Sequence, residues 1–245
     1  MNDSDGCLRK AEFLIVPGIP KNMSKICTGS NVAAFFDFDN TLLPGQASEL
    51  RFFRYLWRQG LVGWREVYTS VFELARHLTG ASLQPLRERK LYLRGKRPGD
   101  IEPLADEFCR QVLCPGLSSV GLARMDQHRR AGHQIVLVTG SLDFLIAPLA
   151  QWLGIDRVLA AKPERFNGRY TGDLVPPLPY GEGKRVLITE LASHSGLDLE
   201  SCYAYGDSPG DVEVLRLVGH PLVINPIRGM RGIARRHQWP VVRWN

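Results

Sequence analysis

Val32-Ala33-Ala34-Phe35-Phe36-Asp37-Phe38-Asp39-Asn40-Thr41 is an apolar run that ends in two carboxylates two residues apart. A short apolar run bounded in this way reads as a buried strand. It delivers Asp37 and Asp39 to the strand's C-terminal edge, where ligands bind in open α/β sheets. Carboxylates are costly to hold there without a compensating cation or reacting group. Asp and Asn also initiate turns, so the pentapeptide alone leaves two readings open, and the rest of the chain decides between them.

Beyond this strand the pattern becomes helical. Trp64, Val67, Tyr68, Val71, Leu74, Ala75 and Leu78 follow steps of three and four, the signature of an amphipathic helix, with Thr79-Gly80 as its stop. Leu50, Phe53 and Trp57 behave alike up to Gly60, as do Ile101, Leu104, Ala105, Phe108 and Val112 up to Pro115-Gly116. About four helices and no strands are expected over 47–113. From 117 onward helix and strand alternate. Ile135–Val138 runs into Thr139-Gly140-Ser141 and a helix to about Leu153, and Val158–Ala160 is a further strand. Asn167-Gly168 marks a tight hairpin. Gly181-Glu182-Gly183-Lys184 opens a helix, and Cys202–Tyr205 delivers Gly206-Asp207-Ser208-Pro209-Gly210-Asp211. Leu222–Ile224 and Val241-Val242 close the sheet. Such alternation predicts an α/β fold with a parallel sheet. The expected organisation is an N-terminal extension over 1–31, an α/β core formed by 32–44 and 116–245, and an inserted helical unit over 45–115.

Bulk properties exclude several classes. No apolar stretch approaches the ~20 residues that span a bilayer, and Phe13–Val16 is cut short by Pro17, so no membrane span and a cytoplasmic location are expected. The five cysteines are scattered without a Cys-x-x-Cys pair, which favours reduced thiols over a disulfide framework or zinc site. The net charge of +6 is uneven: residues 51–97 hold eleven Lys/Arg against three acids. A segment of that kind attracts anions, or is simply a solvated helical surface.

Parallel strands place all their C-termini on one edge. Asp37 and Asp39 therefore meet Thr139-Gly140, Lys184, Asp207 and Asp211 there. Several carboxylates in one cleft do not all ionise without a counter-charge. Mg²⁺ supplies it with oxygen ligands, commonly beside a substrate phosphate. The Thr139 hydroxyl, the following N–H groups and Lys184 are suitable donors to phosphate oxygens.

In order, Asp37-Phe38-Asp39-Asn40-Thr41, Val138-Thr139-Gly140-Ser141, Gly181-Glu182-Gly183-Lys184 and Gly206-Asp207-Ser208-Pro209-Gly210-Asp211 resemble the four motifs of the haloacid dehalogenase superfamily. The likeness is to its phosphoserine-phosphatase-like branch with a helical cap, over about 32–243. The resemblance implies a Rossmann-like core and a phosphatase. Asp37 would be the nucleophile forming an aspartyl-phosphate, and Asp39 the acid and then the base. Mg²⁺ would be held by Asp37, Asp207 and the Asp39 carbonyl. Thr139, Gly140 and Lys184 would hold the phosphoryl group. Asp211 would support the metal's waters or orient Lys184. A cap that opens and closes about Pro44-Gly45 and Pro115-Gly116 is implied as well.

Substrate identity is where the likeness departs. The acidic residue that meets the ammonium of phosphoserine in that branch falls on Gln46, and the asparagine before the last Asp is Gly210. Phosphoserine itself is therefore not expected, and the basic cap suggests a more anionic or larger phosphorylated metabolite. Two other readings stand beside hydrolysis. One is a phosphotransferase or mutase on the same aspartyl-phosphate. The other is a binder of nucleic acid or anionic lipid through 51–97 and Arg228, Arg231, Arg235 and Arg236. No stable nucleic-acid partner is expected, and a monomer or homodimer is.

Overall fold

The structure, a computed structural model, describes residues 31–45, 47–77 and 89–244, without the side chains of 70, 71 and 73–77. The expectations for residues 1–30, for Gln46 and for the helix stop at Thr79-Gly80 lie outside the described residues. β1 (Ala33–Phe36), β2 (Gln134–Leu142), β3 (Arg157–Phe166), β4 (Arg169–Val175), β5 (Tyr203–Gly206), β6 (His220–Ile224) and β7 (Val241–Val242) form one sheet, ordered β4-β3-β2-β1-β5-β6-β7. All neighbours are parallel except β3 and β4.

The β1 run is apolar on both faces because both are covered. Its alternation sends Ala34 and Phe36 into one apolar cluster and Ala33 and Phe35 into the other. The chain leaves β1 for β2 and β3 on one side and returns to β5 on the other. β1 thus borders the point where strand order reverses, the place where open α/β sheets bind ligands.

Between β1 and β2 lie α1 (Ser48–Arg58), α2 (Trp64–His77), α3 (Pro98–Ile101) and α4 (Leu104–Phe108), with short 3₁₀ and π turns. One extended contact occurs there among the described residues, an antiparallel bridge of Arg89 to Asp173 in β4. The core helices are α5 (Ser119–Arg130), α6 (Asp143–Leu153), α7 (Glu182–Ser195), α8 (Val212–Leu217) and α9 (Met230–His237). Ser118 caps α5 by accepting the Gly121 N–H at 3.1 Å, and α6 and α7 end at left-handed Gly154 and Gly196.

β3 is longer than the sequence signal over 158–160. Its first half pairs with β2 and its second half with β4, across a turn whose Asn167 and Gly168 have φ of 48° and 72°. The two-residue positive-φ turn is what Asn-Gly favours. Residues of the insertion are stitched to this hairpin. Lys90 N–H donates to the Gly172 carbonyl (2.7 Å), Gly95 N–H to that of Tyr170 (2.8 Å), and Tyr170 N–H to that of Lys96 (3.0 Å). The Tyr170 hydroxyl adds a bond to Glu102 Oε1 at 2.6 Å. The three described cysteines are free and buried, and no described helix is long and apolar enough to cross a membrane.

Candidate active site

A cleft of about 770 Å³ opens over the C-terminal ends of β1, β2 and β5, and Asp37, Asp39, Gly140, Lys184, Asp207 and Asp211 line it. Asp37 follows β1 directly, its N–H bonded to the Tyr205 carbonyl at 2.9 Å. Asp207 follows β5 in the same way. Gly140 and Ser141 sit where the β2–β3 register slips between Thr139 and Leu142. An irregularity of this kind re-aims backbone at a strand end, and here it turns Gly140 to the cleft. Thr139 is buried beneath, and its hydroxyl accepts the Ser141 N–H at 3.1 Å.

Lys184 comes from the first turn of α7 and is buried. Its ammonium donates to Asp37 Oδ1 (2.7 Å), Asp211 Oδ1 (2.6 Å) and the Val138 carbonyl (3.0 Å). An ammonium has three donors, so all are engaged. Burial alone would depress this lysine, but the charges of Asp211 and Asp37 outweigh it and hold it above the ordinary range. Asp37 is driven upward by burial; Lys184 opposes this, and the negative charges of Asp211 and Asp207 add to it. Asp207 is pushed to about 7, again chiefly by burial, against the opposing hydrogen bond from Asn40. The cluster therefore holds more buried negative charge than Lys184 alone compensates.

Asp211 is fully committed. Opposite its Lys184 contact, Oδ2 accepts from Asp207 N–H (3.2 Å), Ser208 N–H (3.1 Å) and Ser208 Oγ (2.8 Å). Gly206 makes this possible, since a Cβ there would lie 2.5 Å from the Asp211 Cβ. A Cβ on Gly210 would meet the Tyr180 ring at 2.4 Å, so Tyr180 takes the space a larger residue would need.

Asp39 lies in different surroundings. Its Oδ1 accepts the Ser48 N–H at 2.6 Å, and its Oδ2 accepts from Ser48 Oγ (3.1 Å) and Ser141 Oγ (2.9 Å). The two hydroxyls are also 2.6 Å apart. The Asp37, Asp207 and Asp211 oxygens lie within 4.8 Å of one another, a grouping able to hold a metal ion, while the Asp39 carboxylate is not part of it.

Sequence reasoning did not single out three of the supporting residues. Asn40 donates to Asp207 Oδ2 (2.8 Å) and to the Asn225 carbonyl (2.9 Å). Its φ of 58° is one that Asn tolerates. Ser48 and Tyr180 are the others. Asn40 stood inside a quoted motif, so its proximity to Asp37 was a usable signal; Ser48 and Tyr180 carry none.

An α/β sheet with a nucleophile-type carboxylate after its central strand and a buried lysine against it defines a hydrolase of the phosphoryl-transfer kind. The family model for haloacid dehalogenase-like hydrolases matches residues 34–216, and the chain belongs to that family, on its phosphoserine-phosphatase-like branch. It is 32% identical over 221 residues, 88% of this chain and 76% of the relative, to a probable phosphatase of Mycobacterium tuberculosis. A protein of unknown function from Bordetella pertussis Tohama I superposes with a TM-score of 0.73 at 30% identity, over 87% of this chain and 98% of that one. A phosphoserine phosphatase carrying a phospho-aspartyl intermediate analogue shares the fold, with a TM-score of 0.60 at 17% identity over 88% and 94% of the two chains.

Proposed function

We propose that this hydrolase is a magnesium-dependent phosphomonoesterase acting on a small phosphorylated metabolite through an aspartyl-phosphate on Asp37. The observation that carries the reading is the division between the two acids. Asp37 lies among carboxylates and a lysine, and Asp39, two residues on, lies among serine donors. Acids placed in such unlike environments take unlike roles.

An Asp37 oxygen attacks phosphorus as the ester P–O bond breaks. Asp39 gives its proton to the departing alcohol oxygen. It then takes a proton from the water that attacks the same phosphorus and releases phosphate, restoring the Asp37 carboxylate. The Gly140 backbone and Lys184 hold the phosphoryl oxygens, with Lys184 exchanging part of its contact with Asp37 for the substrate; Thr139 supports them from below. The surplus of buried negative charge and the clustered oxygens of Asp37, Asp207 and Asp211 fit a divalent cation. Asp37, Asp207 and the Asp39 carbonyl would hold it, and Asp211 would fix Lys184 and the 207–208 backbone. When bound, magnesium offsets the charge repulsion between an anionic nucleophile and an anionic phosphate. Residues 45–115 act as the cap that covers the cleft.

Hydrolysis of p-nitrophenyl phosphate with Mg²⁺ present is the test. EDTA is expected to abolish it, and Asp37→Asn to lower the rate by at least about a thousandfold. Undiminished turnover by Asp37→Asn would remove the nucleophile assignment.

A further inference from the structure

Opposite the catalytic carboxylates, the inserted segment gives the cleft wall two charged side chains, Glu49 and Lys90. They form an ion pair between Lys90 Nζ and Glu49 Oε2, in which the Lys90 side chain is 5% exposed and that of Glu49 25%. The ammonium is thus sunk in the wall with its charge already met, and the group turned to the cleft is the carboxylate. Among the described Lys and Arg side chains of 51–97, only Lys90 lines this cleft. Arg65, Arg94 and Lys96 line a separate groove beside Tyr68 and Phe72. The positive charge of the insertion, conspicuous in the sequence, does not face the substrate.

Two further observations give Glu49 a defined place. Ser48, its immediate neighbour, donates its N–H to Asp39 Oδ1 at 2.6 Å. A leaving group protonated by Asp39 therefore departs next to the first turn of α1. Lys90 is fixed as well. Its N–H is bonded to the Gly172 carbonyl at 2.7 Å, and adjacent Arg89 pairs with Asp173 at 3.0 Å. The Tyr92 hydroxyl, buried beside the Glu49 carboxylate without a hydrogen bond of good geometry, closes the pocket behind the pair. A carboxylate accepts about four hydrogen bonds, so one contact with Lys90 leaves acceptor capacity facing the cleft.

We infer that Glu49, anchored by Lys90, is the subsite for the alcohol portion of the substrate and selects leaving groups that carry a hydrogen-bond donor, above all a protonated amine. This rests on the phosphomonoesterase reading. It replaces the expectation of a polyanionic substrate, because a second carboxylate or phosphate on the leaving group would face Glu49 with like charge.

Matched esters test it: 2-aminoethyl phosphate against propyl phosphate, similar in size and differing in the ammonium. The wild type is expected to favour the amine in kcat/KM by about tenfold, the scale of one charge-assisted hydrogen bond. Glu49→Gln should bring the ratio close to one. Because that variant leaves Lys90 buried without its partner, Glu49→Leu combined with Lys90→Met is measured too, and the same loss of ratio is expected. A wild-type ratio near or below one, or a ratio unchanged in both variants, overturns the subsite while leaving the phosphatase reading intact. Failure of the wild type to hydrolyse p-nitrophenyl phosphate at all overturns both.

Discussion

His128 shows how a single side chain away from the cleft sets a pH response. Its Nε2 meets the Tyr205 hydroxyl at 2.6 Å and its Nδ1 meets His133 Nδ1 at 2.9 Å. Burial, with smaller contributions from the charges of His133 and Arg124, depresses it from 6.5 to about 4. Between those values the unfolded chain binds a proton that the folded one does not, so stability rises with pH across this window and is lost as pH falls through it. The melting temperature should drop from pH 7 to pH 5, and His128→Gln should narrow the difference; an equal drop in the variant would remove His128 as its source. Residues bearing chemistry were legible in the sequence where they sat in motifs, as Asp37, Asp39, Lys184 and Asp207 do. Ser48 and Tyr180 were not, because what each does depends on a partner brought near only by the fold.

Among the elements, the β3–β4 hairpin changes how the insertion behaves. Hinges near Pro44-Gly45 and Pro115-Gly116 suggest a cap swinging as one piece. Yet the bonds from Lys90, Gly95 and Lys96 to Gly172 and Tyr170 tie its second half to the hairpin. Motion is therefore expected in α1 and α2, with residues 89–102 staying on the core. In native-state hydrogen exchange the amides of Lys90, Gly95 and Tyr170 should share the slow rates of β3 and β4, and those of α2 should exchange faster. Exchange of Lys90 and Gly95 at the α2 rate would restore the whole-cap swing. The hairpin turn was readable from Asn167-Gly168. Its contact with residues 89–96 was not, since a lone bridge such as Arg89 to Asp173 leaves no period in the sequence.

For the molecule as a whole, the parallel sheet was legible because each strand is a short apolar run followed by a polar cluster, and the clusters fall on one edge. The closing of the sheet's far side was less so. Beyond β7 the chain reads as a short tail, but Trp244 is buried, with ring centroids 5.3 Å from Tyr205 and 6.4 Å from Phe36. Its backbone is held by Asn225 and Ser118, at 2.9 and 2.6 Å. Trp244 thus packs behind β1 and β5, the strands that present Asp37 and Asp207. Trp244→Ala should cost about 3–5 kcal/mol in urea unfolding, and a loss under about 1 kcal/mol would mean that this packing is dispensable.

The Asp39 clasp has a further meaning when its hydrogens are counted. Asp39 Oδ2, Ser48 Oγ and Ser141 Oγ make three mutual contacts, at 3.1, 2.9 and 2.6 Å. With Asp39 ionised, the two hydroxyls bring two hydrogens to three contacts, and one contact is left without a proton. With Asp39 protonated there are three hydrogens for three contacts, circulating in one direction as each hydroxyl rotates. Loading and unloading the acid therefore requires only that hydroxyls turn, while the heavy atoms stay where the next step needs them.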